Sequence, residues 1–390
     1  MLKEGAAAGD GTPAPRARPG SGAAARLEAP AVLLLGPARS AASGVATHIN
    51  QLFGSALSKR FRLSQFQVGR EGRGESRRAT VVRLALSPLI FVVRLVRLRP
   101  RIVHINTSLD LKGYWRDLVY LAVAKALGCK VVYQIHGGAL PAQFFPRSRL
   151  LTALLRHVLM WADVVVLLAK CEMTAYEQFA PRARLIRIAN CVSIEQDRGP
   201  APLNPTAVLT VGYVGRLTAS KGILETIEAV RILRERGVEV RLTIAGAGEA
   251  MDAIRRSISA AGLATHVHLI GEVFAEAKRE FWFQTDVLAL PSYHEGLPYA
   301  LLEAMAYGVV PVASPVGAIP DVMQDQVHGL LVPPRAPQAV AQALEQLAGD
   351  RLLLRRLSHA ARERVVTHYS ITRLADQFTE LYRSLSIDAN

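Results

Sequence analysis

The sequence predicts an α/β protein of two Rossmann-like, doubly wound parallel-sheet domains with a cleft between them. Three observations predict it. Short apolar runs alternate with stretches of helical periodicity, the pattern of a parallel sheet and its crossover helices. The alternation restarts after Gly199-Pro-Ala-Pro-Leu-Asn-Pro205, whose prolines suit a linker. The chain has 390 residues, half of them apolar, which exceeds one ordinary domain and supplies two cores.

Residues 1–29, rich in Ala, Gly, Pro and Arg, read as a disordered lead-in without the apolar core of a secretory signal. The first domain then spans 30–198. Val32-Leu-Leu-Leu35 is a buried-strand run ending at Gly36-Pro37, and a helical pattern follows from Val45 through Leu57. Arg101–Asn106 and Lys130–Ile135 read as strands, the second closed by His136-Gly137-Gly138, and Asp163–Leu168 adds one more. The second domain spans 199–370. Its first strand is Val208–Val214, followed by a helix that Ser220 caps and Gly237 stops, with Ile223, Ile227, Val230 and Leu233 on its apolar face. Strands follow at Val240–Ala245, Val267–Ile270, Val287–Leu290 and Val309–Ala313. The last third is helical, and residues 371–390 are expected to form a helix that packs back toward the first domain. In open α/β sheets ligands sit beyond the carboxyl ends of the strands, so the cleft is where chemistry is expected.

Composition narrows the class of function. No apolar run reaches the ~18 residues of a membrane span. Cys129, Cys171 and Cys191 cannot all pair and lack zinc spacing, which reads as reduced thiols of a cytoplasmic protein with no metal. Residues 1–200 carry 29 Lys+Arg against 12 Asp+Glu, a net +17, whereas residues 201–390 carry 18 against 20. One half alone is therefore suited to a polyanion, whether nucleic acid, anionic membrane or phosphorylated acceptor.

Two constellations carry chemistry. In Val211-Gly-Tyr-Val-Gly-Arg-Leu-Thr-Ala-Ser-Lys-Gly222 a strand empties into a turn bearing Gly215 and Arg216, with Lys221 close behind. Two fixed cations beside helix-start N–H groups suit a diphosphate. In Leu290-Pro-Ser-Tyr-His-Glu-Gly-Leu-Pro-Tyr-Ala-Leu-Leu-Glu303 a strand ends in a polar loop, with Pro298 placed as the first residue of a helix. Glu295 in the loop suits sugar hydroxyls, the Gly296 and Leu297 N–H groups suit phosphate, and Glu303 suits ribose hydroxyls.

These motifs, with Pro311-Val-Ala-Ser-Pro-Val-Gly317, resemble glycosyltransferase family 4, whose members are retaining enzymes of GT-B architecture. The resemblance spans about 31–385 and is strongest over 208–333. It implies that Arg216 and Lys221 neutralise the leaving diphosphate of a nucleotide-sugar donor, that Glu295 contacts the donor sugar and that Glu303 holds the ribose. It implies further that His136 faces the transferred sugar and that Ser43-Gly44 forms the loop toward acceptor and phosphate. Of Asn190-Cys-Val-Ser193 only Asn190 carries over. A glycan or lipid-linked acceptor is expected. No Asp-x-Asp triplet is present, so no metal is expected, and no cofactor, the nucleotide-sugar being a substrate. Two rival readings are a nucleotide-sugar epimerase of similar architecture, which would need no acceptor, and a non-catalytic two-domain sugar-binding protein. His104 and His294 are weaker candidates than His136.

Residues 59–101 hold twelve Lys+Arg and only Glu71 and Glu75 as acids. A helix starting at Ser87-Pro88 would place Arg94 and Arg97 on one face, which suits an anionic membrane surface. With no nucleic-acid motif, DNA and RNA are not expected partners.

Overall fold

The computed structural model describes residues 29–41, 43–69, 76–193 and 208–387. The lead-in expected over 1–29 falls outside them except for its last residue, as does the linker Gly199–Pro205. Two six-stranded sheets, each wholly parallel, carry helices on both faces. The first contains β1 (Ala31–Gly36), β2 (Arg62–Gln67), β3 (Ile102–Leu109), β4 (Lys130–Gly138), β5 (Val164–Leu167) and β6 (Leu185–Arg187), in the order β2-β1-β3-β4-β5-β6. The second contains β7 (Leu209–Val214), β8 (Val240–Ala245), β9 (Val267–Gly271), β10 (Val287–Leu290), β11 (Val310–Ala313) and β12 (Leu330–Leu331), in the order β12-β11-β10-β7-β8-β9. Central strands covered on both faces are apolar throughout: Val32 to Leu35, Val164 to Leu167 and Val287 to Leu290 are all buried.

Each sheet reverses its winding once, between β1 and β3 and between β7 and β10. Crossovers β2→β3, β3→β4 and β4→β5 run in one direction, so right-handed connections put the helices Arg77–Leu98, Leu111–Ala126 and Arg149–Trp161 on one face. That face holds the core of Leu33, Val103, Phe91, Tyr120, Leu155 and Tyr176. Against the other face lie the Gly44–Gly54 helix and the last helix, Ile371–Ile387, whose Leu374, Phe378 and Leu385 share a core with Val32 and Leu34 of β1. Arg60 pairs with Asp376 at 2.7 Å there, and His104 Nδ1 lies 2.6 Å from the Tyr382 hydroxyl. The Ile371–Ile387 helix thus lies on the first sheet.

Several elements differ from the expectation. The edge strands β2 and β6 and the two-residue β12 were not anticipated; β2 and β6 are polar or half-exposed, as edge strands are. No helix begins at Ser87-Pro88: one helix runs Arg77–Leu98 with Pro88 inside it. Buried Thr80 and Ser87 before the proline, and Phe91 and Leu95 after it, anchor both halves, offsetting a proline cost of about 3 kcal/mol. Pro298 occupies the N-cap, one residue before the Tyr299–Ala306 helix. Ser220 caps no α-helix. It lies in a single 3-10 turn, Ala219–Lys221, and the helix starts at Ile223 because Gly222 reverses the chain at φ 71°. A Cβ on Gly222 would meet the Pro291 carbonyl oxygen at 2.2 Å, so the turn and the loop after β10 fit only around a glycine.

Candidate active site

The reversal point of the second sheet puts the loops after β7 and β10 side by side. Tyr293 N–H donates to the Ser220 carbonyl at 2.8 Å, tying the two loops together. Across this seam Lys221 Nζ donates to Glu295 Oε1 at 2.7 Å, and Ser292 Oγ donates to the same oxygen at 2.8 Å. Among the described residues no hydrogen bond reaches Glu295 Oε2, which leaves it to accept from other groups. Arg216 is exposed at the tip of the β7 loop, where the Tyr213 hydroxyl donates to its carbonyl at 2.9 Å. Burial, with Glu295 adding to it, pushes the Tyr213 hydroxyl up, so it remains a donor. Gly215 N–H and Leu217 N–H donate to the Ala245 and Ala247 carbonyls, locking the β7 loop to the loop after β8.

Glu303 sits in the Tyr299–Ala306 helix, with Lys278 Nζ at 2.8 Å from Oε1 and 2.6 Å from Oε2. Among the described residues, the Gly296 and Leu297 N–H groups ahead of this helix donate to no protein acceptor. Of the residues expected on the donor side, Gly215, Arg216, Lys221, Glu295, Gly296 and Leu297 lie on the two loops that touch, and Glu303 lies in the helix that follows the second loop. His294 lies exposed in the same loop.

The first domain meets this face through β4. His136 lies within that strand rather than after it, since pairing with β3 continues past a register shift to Leu109 opposite Gly138. The backbones nearly touch: a Cβ on Gly296 would stand 2.7 Å from the His136 carbonyl oxygen. Asn106 Nδ2 donates to the Leu35 carbonyl at 3.2 Å, leaving Oδ1 to accept from His136 Nε2–H at 3.0 Å. His136 Nδ1 then carries the lone pair and has no protein partner among the described residues. Burial, followed by the neighbouring His48 and His104, holds His136 well below the usual histidine range, so its ring is neutral. His48 packs edge-on to it, ring centroids 4.8 Å apart, and reaches the second domain with Nδ1 3.3 Å from the Tyr299 hydroxyl.

Ser43 caps the Gly44–Gly54 helix by accepting from Ala46 N–H, and Gly44 lies against the Tyr299 ring. Asn190 Nδ2 donates to the Leu297 carbonyl at 2.8 Å, a contact between the domains. His104 is buried between Tyr382 and Gln134. Sequence reasoning did not single out Ser292, Lys278, Asn106, His48 or the Gly246-Ala-Gly248 loop. Only the last carried a local signal, a Gly-x-Gly directly after a strand; the others are defined by partners far along the chain.

Two doubly wound domains with this pairing across their cleft have the GT-B fold, that of glycosyltransferases. Residues 196–364 match the family described as glycosyl transferases group 1. Over 323 residues it is 29% identical to an alpha-D-kanosaminyltransferase of Streptomyces kanamyceticus, covering 78% of this chain and 83% of that protein. It is 33% identical over 207 residues to the alpha-maltose-1-phosphate synthase of Mycobacterium tuberculosis H37Rv, about half of each chain (50% and 51%). The sucrose-phosphate synthase of Thermosynechococcus elongatus superposes with a TM-score of 0.78 at 19% identity, covering 92% of this chain and 100% of that one. HepE of Anabaena, solved in complex with UDP-glucose, gives 0.72 at 17% identity, covering 91% and 99%. At such identities the structural likeness shows the fold.

Proposed function

We propose that this protein transfers a sugar from a nucleotide-sugar donor to a glycan or lipid-linked acceptor, retaining configuration at the anomeric carbon, in the synthesis of a polysaccharide or glycoconjugate. The observation that carries this reading is the Lys221–Glu295 pair at the sheet's reversal point, with Arg216 on the adjoining loop. Arg216 and Lys221 stabilise charge as it develops on the leaving nucleoside diphosphate, without a metal ion. The Gly296 and Leu297 N–H groups add donors to the same diphosphate. Glu295, held through Oε1, accepts sugar hydroxyls at Oε2, and Glu303, oriented by Lys278, accepts the ribose hydroxyls. His136, neutral, accepts a hydrogen bond at Nδ1 from the transferred sugar. Retention follows from attack on the face the diphosphate leaves, with the leaving phosphate taking the acceptor's proton.

The relatives support the donor class: one was solved with UDP-glucose, and another is named for sugar transfer. An open cavity of about 400 Å³ at the start of the Arg149–Trp161 helix is lined by Arg147, Arg149 and Arg156. It suits an acidic group on the acceptor. The test is a thermal-shift screen of nucleotide-sugars, since a tight ligand raises the melting temperature by mass action. The stabilising donor is then incubated with and without candidate acceptors. Release of nucleoside diphosphate on adding an acceptor, with an α-linked product from an α-linked donor, is expected. Sugar conversion with donor alone would make the protein an epimerase, and saturable binding with no turnover on any acceptor a sugar-binding protein.

A further inference from the structure

A helix that is apolar on two opposite faces needs an apolar neighbour on each. The Arg77–Leu98 helix has one on its inner face alone among the described residues. Thr80, Ser87, Phe91 and Leu95 turn inward, with the Phe91 and Tyr120 ring centroids 5.0 Å apart and Ser87 Oγ 2.6 Å from the Tyr120 hydroxyl. On the opposite side Val82, Leu86, Leu89, Val93 and Val96 recur at helical spacing and are 47% to 64% exposed. The adjoining Leu111–Ala126 helix, on the same side of the sheet, adds Leu111, Trp115 and Val119, four residues apart and 43% to 56% exposed. Two outward ridges side by side form an apolar plateau of a kind that marks an interaction surface.

Its charge selects the occupant. The Arg77–Leu98 helix contains five arginines and no Asp or Glu, and Arg94 and Arg97 are exposed beside its ridge. The one acid within the Leu111–Ala126 helix, Asp117, is buried and paired with Arg116 at 2.7 Å. A second copy of this face would set arginines against arginines across a two-fold axis. A surface that is apolar inside and anionic outside satisfies both features at once. No described helix is long and apolar enough to cross a membrane, so the contact is an in-plane one.

We propose that this plateau docks the first domain on an anionic lipid bilayer. Leu111 starts its helix just beyond the carboxyl end of β3, and His136 lies near that end of β4. The docked cleft therefore opens at the membrane edge, where a lipid-anchored substrate is reached without leaving the bilayer. The inference goes beyond the donor reading and does not depend on it.

Co-sedimentation of the full chain with vesicles of phosphatidylcholine plus phosphatidylglycerol, and of phosphatidylcholine alone, tests it. Binding is expected to the anionic vesicles only, and to fall as salt rises. Arg94→Glu with Arg97→Glu should weaken it at least about tenfold. Leu89→Ser with Val93→Ser should weaken it comparably, while both variants keep the parent's melting temperature and far-UV spectrum. Equal binding to neutral vesicles, unchanged binding by both variants, or a solution dimer that Leu89→Ser with Val93→Ser dissolves would each overturn the proposal.

Discussion

Lys221 and Glu295, 74 residues apart, meet at 2.7 Å where the loops after β7 and β10 close on each other. The pair links a cation suited to diphosphate with a carboxylate suited to sugar, so one contact sets the spacing between both halves of the proposed donor site. Glu295 is the more enclosed partner, its side chain 7% exposed against 26% for Lys221. Replacing Lys221 or Arg216 with Ala should lower turnover by ~10²–10³, the scale for one preorganised charge-stabilising group. Steady-state rates near the parent's in both variants would remove the diphosphate role.

The two glutamates should separate. Glu303→Ala removes the ribose acceptor and should weaken binding of free nucleoside diphosphate roughly 10- to 100-fold, the scale of hydrogen bonds to a charged group. Lys278→Ala should move the same quantity in the same direction, because Lys278 contacts both Glu303 oxygens. Glu295→Gln should lower turnover more than it lowers nucleotide affinity. Calorimetry that finds parent-like affinity in Glu303→Ala would end the ribose assignment.

If Arg216 and Lys221 supply the charge that stabilises the leaving group, chelation should leave the rate unchanged. Turnover in EDTA is expected to equal turnover in added Mg²⁺. A strict requirement for the ion would overturn the metal-free reading.

The loops after β7 and β10 were legible in the sequence because strand, turn and helix follow one another there, and Arg216, Lys221, Glu295 and Glu303 sit at fixed offsets from those strands. The central strands were legible because burial on both faces makes them wholly apolar. What was not legible depends on tertiary partners. Lys278 reads as one more surface lysine until the chain brings it to Glu303, and His48 as a core histidine until it meets His136 and Tyr299. Edge strand β2 is half polar, and β12 is too short for periodicity. The Arg77–Leu98 helix was halved at Pro88 because local rules weigh the proline and not the packing on either side of it.

The buried histidines make acid stability predictable. Burial holds His48 and His104 at about 3, from an ordinary 6.5, and His136 well below it. The unfolded chain therefore binds more protons than the folded one once the pH drops below about 6.5, and stability declines from there toward pH 3. Each ring contributes up to ~1.4 kcal/mol per pH unit inside that window. Melting temperature should fall between pH 7 and pH 5, and His104→Gln should flatten the slope by about one proton. A melting temperature that does not change across that interval would contradict the neutral assignment.

The contact between Gly296 and the His136 carbonyl makes the closure of the cleft testable by one methyl group. A Cβ on Gly296 would stand 2.7 Å from that oxygen and 3.4 Å from Gly137 Cα, and both neighbours are backbone. No rotamer change relieves such an overlap, so the β4 end and the β10 loop must separate. Gly296 is not among the residues with positive φ, so Gly296→Ala adds steric bulk without imposing backbone strain within its own loop. The substitution should therefore spare the second domain's fold and nucleotide binding while lowering turnover, because a misplacement near 1 Å costs on the order of 10²-fold. Gly54→Ala, with nothing within 4 Å of its added carbon, is the matched control and should leave turnover unchanged. Turnover in Gly296→Ala equal to that of the control would show that the two domains need not approach this closely for sugar transfer.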